Sequence, residues 1–129
     1  MKERILLTGA SGFIGTNLLE DLLKKGYEVK NLDWNKPKIE ERKSLWENVN
    51  IINYDQFEQA VLNFNPEYII HLAARTDLDG KTLEDYDQNI TGVENLMKII
   101  HKLPDLKKVI ITSSKFVTRN GYKIKNQHD

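Results

Sequence analysis

The chain has 129 residues, 40% of them hydrophobic and 29% charged, enough for the core of one ordinary soluble domain. Its 19 acidic side chains balance 19 basic ones, and no basic cluster is interleaved with aromatics, which argues against nucleic acid as a partner. No apolar run is long enough to span a bilayer or form a signal peptide, and cysteine is absent, so no membrane partner and a cytoplasmic location are the expectation.

In chain order, Arg4 to Thr8 reads as a short apolar strand ending at a glycine, and the following stretch sets Ile14, Leu18, Leu19, Leu22 and Leu23 on one helical stripe that Gly26 stops. Tyr27 to Leu32 reads as a second strand, Lys38 to Trp46 as a short helix and Val49 to Asn53 as a third strand. Asp55 is placed to cap a helix carrying Phe57, Val61, Leu62 and Phe64. Beyond Pro66, Tyr68 to Leu72 suits a strand buried on both faces. A longer helix is expected from about Thr82 to Leu103, with Ile90, Val93, Leu96, Met97 and Ile100 inward and Pro104 closing it, before a fifth strand from Val109 to Thr112. Strands alternating with helices imply right-handed crossovers and a parallel sheet. The expected architecture is a Rossmann-type doubly wound α/β fold of about five strands in the order 3-2-1-4-5.

The stretch TGASGFIG sets Gly9, Gly12 and Gly15 where the first strand hands over to the first helix. Gly9 allows a tight turn, Gly12 lets a phosphate approach the backbone, and Gly15 lets the helix pack close to the strand. The first-turn amides then converge with the helix dipole on a pyrophosphate. A purely packing turn is the plainer alternative. Asp33, eighteen residues past Gly15 at the end of the second strand, is placed to accept the ribose hydroxyls of a dinucleotide and to repel a 2′-phosphate. Capping a turn is the other reading of that residue. No arginine follows it directly, so NAD is favoured over NADP, although Lys36 leaves room for NADP.

Together TGASGFIG, NLDW, IIHLAAR, DQNITGVENLM and VIITSS resemble the extended short-chain dehydrogenase/reductase family, the NAD-dependent nucleotide-sugar epimerases and dehydratases, over residues 4 to about 117. The resemblance implies that Gly9, Ser11, Gly12, Phe13, Ile14 and Gly15 hold the pyrophosphate and Asp33 the adenine ribose. It sets Asn53 and Tyr54, or else Asp55, at the adenine; for Asp55 a helix cap is an equal reading. Leu72, Ala73, Ala74 and Arg75 match a segment over which the dinucleotide lies. Within it His71 reads as a packed strand residue and Arg75 as either a phosphate contact or a surface ion pair. Asn89 matches a structural asparagine of the family's NxxGxxN segment. Ser113 would line the cofactor and Ser114 would be the catalytic hydroxyl that hydrogen-bonds the reacting sugar oxygen.

Members of that family pair the serine with a tyrosine and a lysine four residues later, the lysine lowering the tyrosine's pKa. Tyr122 has Asn126 at that spacing, so the pair is absent. The expectation is a cofactor-binding portion, residues 1–117, followed by a loop over 118–129 leading to a missing C-terminal part that would hold a nucleotide-sugar substrate. Such a piece should be inactive alone, bind NAD weakly and self-associate through the open edge of its fifth strand. The alternative is a stand-alone dinucleotide-binding sensor or interaction module.

Overall fold

The computed structural model describes residues 2–72 and 83–112. Its elements are β1 (Arg4–Thr8), α1 (Phe13–Lys24), β2 (Glu28–Asp33), a 3-10 helix (Glu40–Leu45), β3 (Trp46–Asn48), α2 (Tyr54–Phe64), β4 (Tyr68–His71), α3 (Leu83–Ile100) and β5 (Lys108–Ile111). All neighbouring strands pair in parallel, in the order β3-β2-β1-β4-β5. This is the doubly wound Rossmann-type sheet expected from the alternation of strands and helices. Thr8 lies opposite Leu32 on one side and His71 on the other, so three strands end together at one rim.

Strand alternation divides the core between the two sheet faces. Leu6, Leu32 and Ile69 pack with Phe57, Ala60 and Val61 of α2 and with Leu96 and Ile99 of α3. Ile5, Leu7 and Val29 pack with Leu19 and Leu22 of α1 on the opposite face. Beside α1, among the described residues, Tyr27, Tyr68, Ile70 and Ile110 line an apolar groove that reaches β5. On that edge Ile110 is 46% exposed and Ile111 40%.

Several expected boundaries move, each for a local reason. The third strand is Trp46–Asn48, ahead of the apolar run over 49–53. Trp46 Nε1 donates to the Asp33 carbonyl at 2.7 Å and ties this short strand to β2. After Val49 the chain leaves the sheet, because Asn50 Oδ1 accepts from the Ile52 amide, closing an Asx turn. The expected helix over 38–46 is a 3-10 helix that stops at Leu45. Asn53, not Asp55, caps α2: its side-chain oxygen accepts from the Gln56 amide at 3.2 Å, which leaves Asp55 in the first turn, where its charge meets the positive end of the dipole. Ile14, Ile90 and Met97, expected inward, are 71%, 55% and 43% exposed.

At the opposite rim, where the strands begin, charged side chains bind the strand starts together. Arg4 Nε donates to the Asn65 carbonyl at 2.8 Å and its guanidinium lies 3.6 Å from Glu67. Lys107 reaches both Glu67 and Glu3, at 3.2 and 3.3 Å. The hydrogen bonds that Lys107 donates to Glu67 and Glu3 raise its pKa above the ordinary value.

Candidate functional site

The rim where β1, β2 and β4 end carries the glycine turn. Gly9 has φ +70°, a left-handed conformation that costs glycine least, and its amide donates to the Leu32 carbonyl at 2.9 Å. The next two residues are held by side chains of β2. The Ala10 amide donates to Asn31 Oδ1 at 2.9 Å and the Ser11 amide to Asp33 Oδ2 at 3.1 Å. Ser11 Oγ accepts from Asn31 Nδ2 at 3.2 Å and donates to the Asn35 carbonyl at 2.8 Å.

Helix α1 begins at Gly12 with no side-chain cap and no acidic residue in its first turn. The amides of that turn therefore face outward with the positive end of the dipole uncompensated, the arrangement that takes an anion. Apart from its chain neighbours, no described atom lies within 4 Å of where a Gly12 Cβ would stand, so the space before the turn is open. Gly15 is the reverse case: a Cβ there would overlap the Ala10 Cα and lie 2.7 Å from its carbonyl carbon. Only a side chain of hydrogen lets α1 approach β1 this closely. Phe13 and Ile14, in the same first turn, are 85% and 71% exposed.

Asp33 is buried beside this turn at the end of β2, with its two carboxylate oxygens accepting from the Ser11 and Asn35 amides. Each carboxylate oxygen keeps further acceptor capacity, enough for a pair of hydroxyls. Trp34 follows, more than half exposed on the turn that Asp33 and Ser11 hold. Such residues fit a diphosphate at the helix tip and a ribose at the carboxylate.

Across the rim, Thr8 and His71 form a fully buried pair. Thr8 Oγ1 accepts from the Leu72 amide at 3.1 Å and shares a hydrogen bond with His71 Nδ1 at 2.6 Å, while His71 Nε2 has no partner among the described residues. Burial lowers the His71 pKa to about 4, so the ring is neutral at physiological pH and stitches β4 to β1. Leu72 is half-buried at the end of β4.

The residues after β3 take several roles. Asn53 is spent on capping α2, and the Tyr54 hydroxyl donates to Glu58 at 2.7 Å. Asp55 stands exposed in the first turn of α2. Ala73, Ala74, Arg75, Ser113, Ser114 and Tyr122 lie outside the described residues, as does the side chain of Asn89. Three buried polar residues were missed from the sequence: Thr8, Asn31 and Asn95, whose amide donates to the Ile51 carbonyl at 2.8 Å and pins the loop after β3.

The model of the NAD dependent epimerase/dehydratase family matches residues 5–126. The chain belongs to that family. A UDP-N-acetyl-alpha-D-glucosaminuronate decarboxylase of Bacillus cytotoxicus is 33% identical over 94% of the chain, which spans 39% of that relative. The UDP-glucose 4-epimerase of Thermotoga maritima, solved with UDP-glucose, superposes with a TM-score of 0.76 at 31% identity, over 86% of this chain and 38% of that one. The Thermus thermophilus UDP-glucose 4-epimerase, solved in complex with NAD, gives a TM-score of 0.72 at 29% identity over 82% and 36%. The chain therefore spans under two fifths of the length of these family members. No described helix is long and apolar enough to cross a membrane.

Proposed function

We propose that this chain is the NAD-binding portion of an epimerase/dehydratase-type oxidoreductase acting on a nucleotide-sugar. The observation that carries the reading is the uncapped first turn of α1, open in front of Gly12 and flanked by the buried Asp33 carboxylate. In it Gly9, Ser11, Gly12, Phe13, Ile14 and Gly15 supply the backbone for the pyrophosphate and Asp33 accepts the adenosine ribose hydroxyls. The residues after β3 border the adenine. Asp55 is the member of that set with a charged side chain toward solvent, while Asn53 and Tyr54 are engaged within α2. Leu72, Ala73, Ala74 and Arg75 follow β4 under the dinucleotide, and Ser113 and Ser114 follow β5, with Ser114 donating to the reacting sugar oxygen.

NAD when bound accepts and returns a hydride, and the residues of this chain bind and orient it. None of the five tyrosines has a lysine four residues later, so no tyrosine-lysine pair is available to move the sugar proton. Binding without turnover is the reading for the 129 residues alone. The exposed apolar edge of β5, with Ile110 and Ile111, supports self-association as well.

Calorimetric titration with NAD and NADP tests the reading, with Asp33→Ala alongside. NAD is expected to bind more tightly than NADP, and Asp33→Ala to weaken NAD about tenfold, the scale of hydrogen bonds to a charged group. Preference for NADP, or an unchanged NAD affinity in the mutant, would remove Asp33 from the ribose.

A further inference from the structure

Asn31 sits inside β2, opposite Leu7 of β1, where it is 1% exposed. Its strand neighbours Val29 and Leu32 are buried and apolar, and an amide there costs free energy unless its polar atoms are satisfied. Both ends of the amide are spent on the glycine turn: Oδ1 takes the Ala10 amide and Nδ2 reaches Ser11 Oγ. Ser11 in turn fastens to Asp33 through its amide and to Asn35 through its hydroxyl. One buried network therefore joins the turn, the carboxylate and the loop after β2.

Ala10 and Ser11 lie between Gly9 and Gly12, two residues with wide backbone freedom. Left to the glycines, the segment entering α1 would sample many directions, and a ligand would have to order it. The hydrogen bonds of Asn31 hold residues 10 and 11 in one arrangement, and Gly12, the next residue, opens the helix. The path of residues 10 and 11 sets where the first-turn amides point.

We propose that Asn31 is a positioning residue that presets the glycine turn for a diphosphate, an inference resting on the dinucleotide-binding reading above. Asn31 touches no ligand in this role and acts through Ala10 and Ser11. Valine fits the strand and leaves the Ala10 amide buried without an acceptor, so the turn must shift to satisfy it. The loss falls mainly on ligands that use the helix tip, because Asp33 keeps the Asn35 amide and its place at the end of β2 when the turn shifts.

The test is titration of ADP and adenosine, followed by NMR, into wild type, Asn31→Val, Ser11→Ala and the double variant, with thermal melts to confirm folding. ADP affinity is expected to fall about tenfold in Asn31→Val, on the scale of one orphaned buried amide, with a much smaller change for adenosine. Ser11→Ala should show the same selectivity and add little in the Asn31→Val background, since two residues of one network do not contribute independently. Should Asn31→Val fail to fold, the selectivity of Ser11→Ala decides alone. Equal losses for ADP and adenosine, or an unchanged ADP affinity in a folded variant, overturn the inference while leaving the dinucleotide reading intact. A wild-type chain that binds neither ADP nor NAD overturns both.

Discussion

Replacing Gly15 with alanine would set a methyl group against the Ala10 backbone, overlapping its Cα and standing 2.7 Å from its carbonyl carbon. The obstacle is main chain, so no rotamer change relieves it and α1 must move away from β1. Overpacking of this kind costs about 1–3 kcal/mol, and the better helix propensity of alanine returns about 1 kcal/mol. With main chain as the obstacle the cost falls at the upper end of that range, so we expect a net loss of about 2 kcal/mol, which for a domain of this size lowers Tm by about 6–12 °C. NAD affinity should fall as well, because the displaced helix carries the first-turn amides with it. Gly12→Ala is the informative contrast. A Cβ at that position meets no atom of the described residues beyond its chain neighbours, so its stability effect should stay within about 1 kcal/mol, while the methyl group occupies the approach of the phosphate. Scanning calorimetry and NAD titration on both variants read the two effects separately. A Gly15→Ala protein as stable as wild type would refute the close-approach argument, and a Gly12→Ala protein that binds NAD normally would refute the open cradle.

Three further outcomes are expected. His71 has its pKa lowered to about 4 by burial, against an ordinary value of 6.5, so between those values the unfolded chain takes up a proton that the folded one refuses. Stability should drop as pH falls through that window, by up to about 3 kcal/mol, and urea titrations at several pH values should show the slope vanish in His71→Gln. Asn53→Ala should cost about 1 kcal/mol through loss of the cap on α2, whereas Asp55→Ala should cost only about 0.5 kcal/mol through the helix dipole; thermal melts that reverse this order would return the cap to Asp55. Ile110→Lys should shift any self-association of the chain toward monomer in sedimentation velocity, and an unaltered distribution would move the contact away from β5.

Strand order was legible because each apolar run alternates with a helical stripe, and handedness leaves few ways to stack such units. The position of β3 was not. Val49 and Ile51 are apolar because they pack under α2 and α3 as loop residues, and the turn chemistry of Asn50 that takes them out of the sheet leaves no mark on hydropathy. Ile14, Ile90 and Met97 fit a helical period yet face away from the core, since a stripe fixes a face only as far as a neighbouring element covers it. Within the candidate site, the glycine spacing pointed to Gly15 as a packing position, and the clash that a Cβ would make there supplies the reason. Asn31 carried no such signal. Its meaning depends on which amides lie across the strand end, and only the folded backbone brings Ala10 and Ser11 to it.

The ionic lashing of Arg4, Glu67, Lys107 and Glu3 sits at the foot of the sheet, a full strand length from the glycine turn. Rising ionic strength should slacken that foot, where the charges are partly exposed, before it disturbs the crown, where buried hydrogen bonds, those of the Asp33 carboxylate among them, set the shape. The molecule thus keeps its ionic fastening and its glycine turn at opposite ends of the sheet.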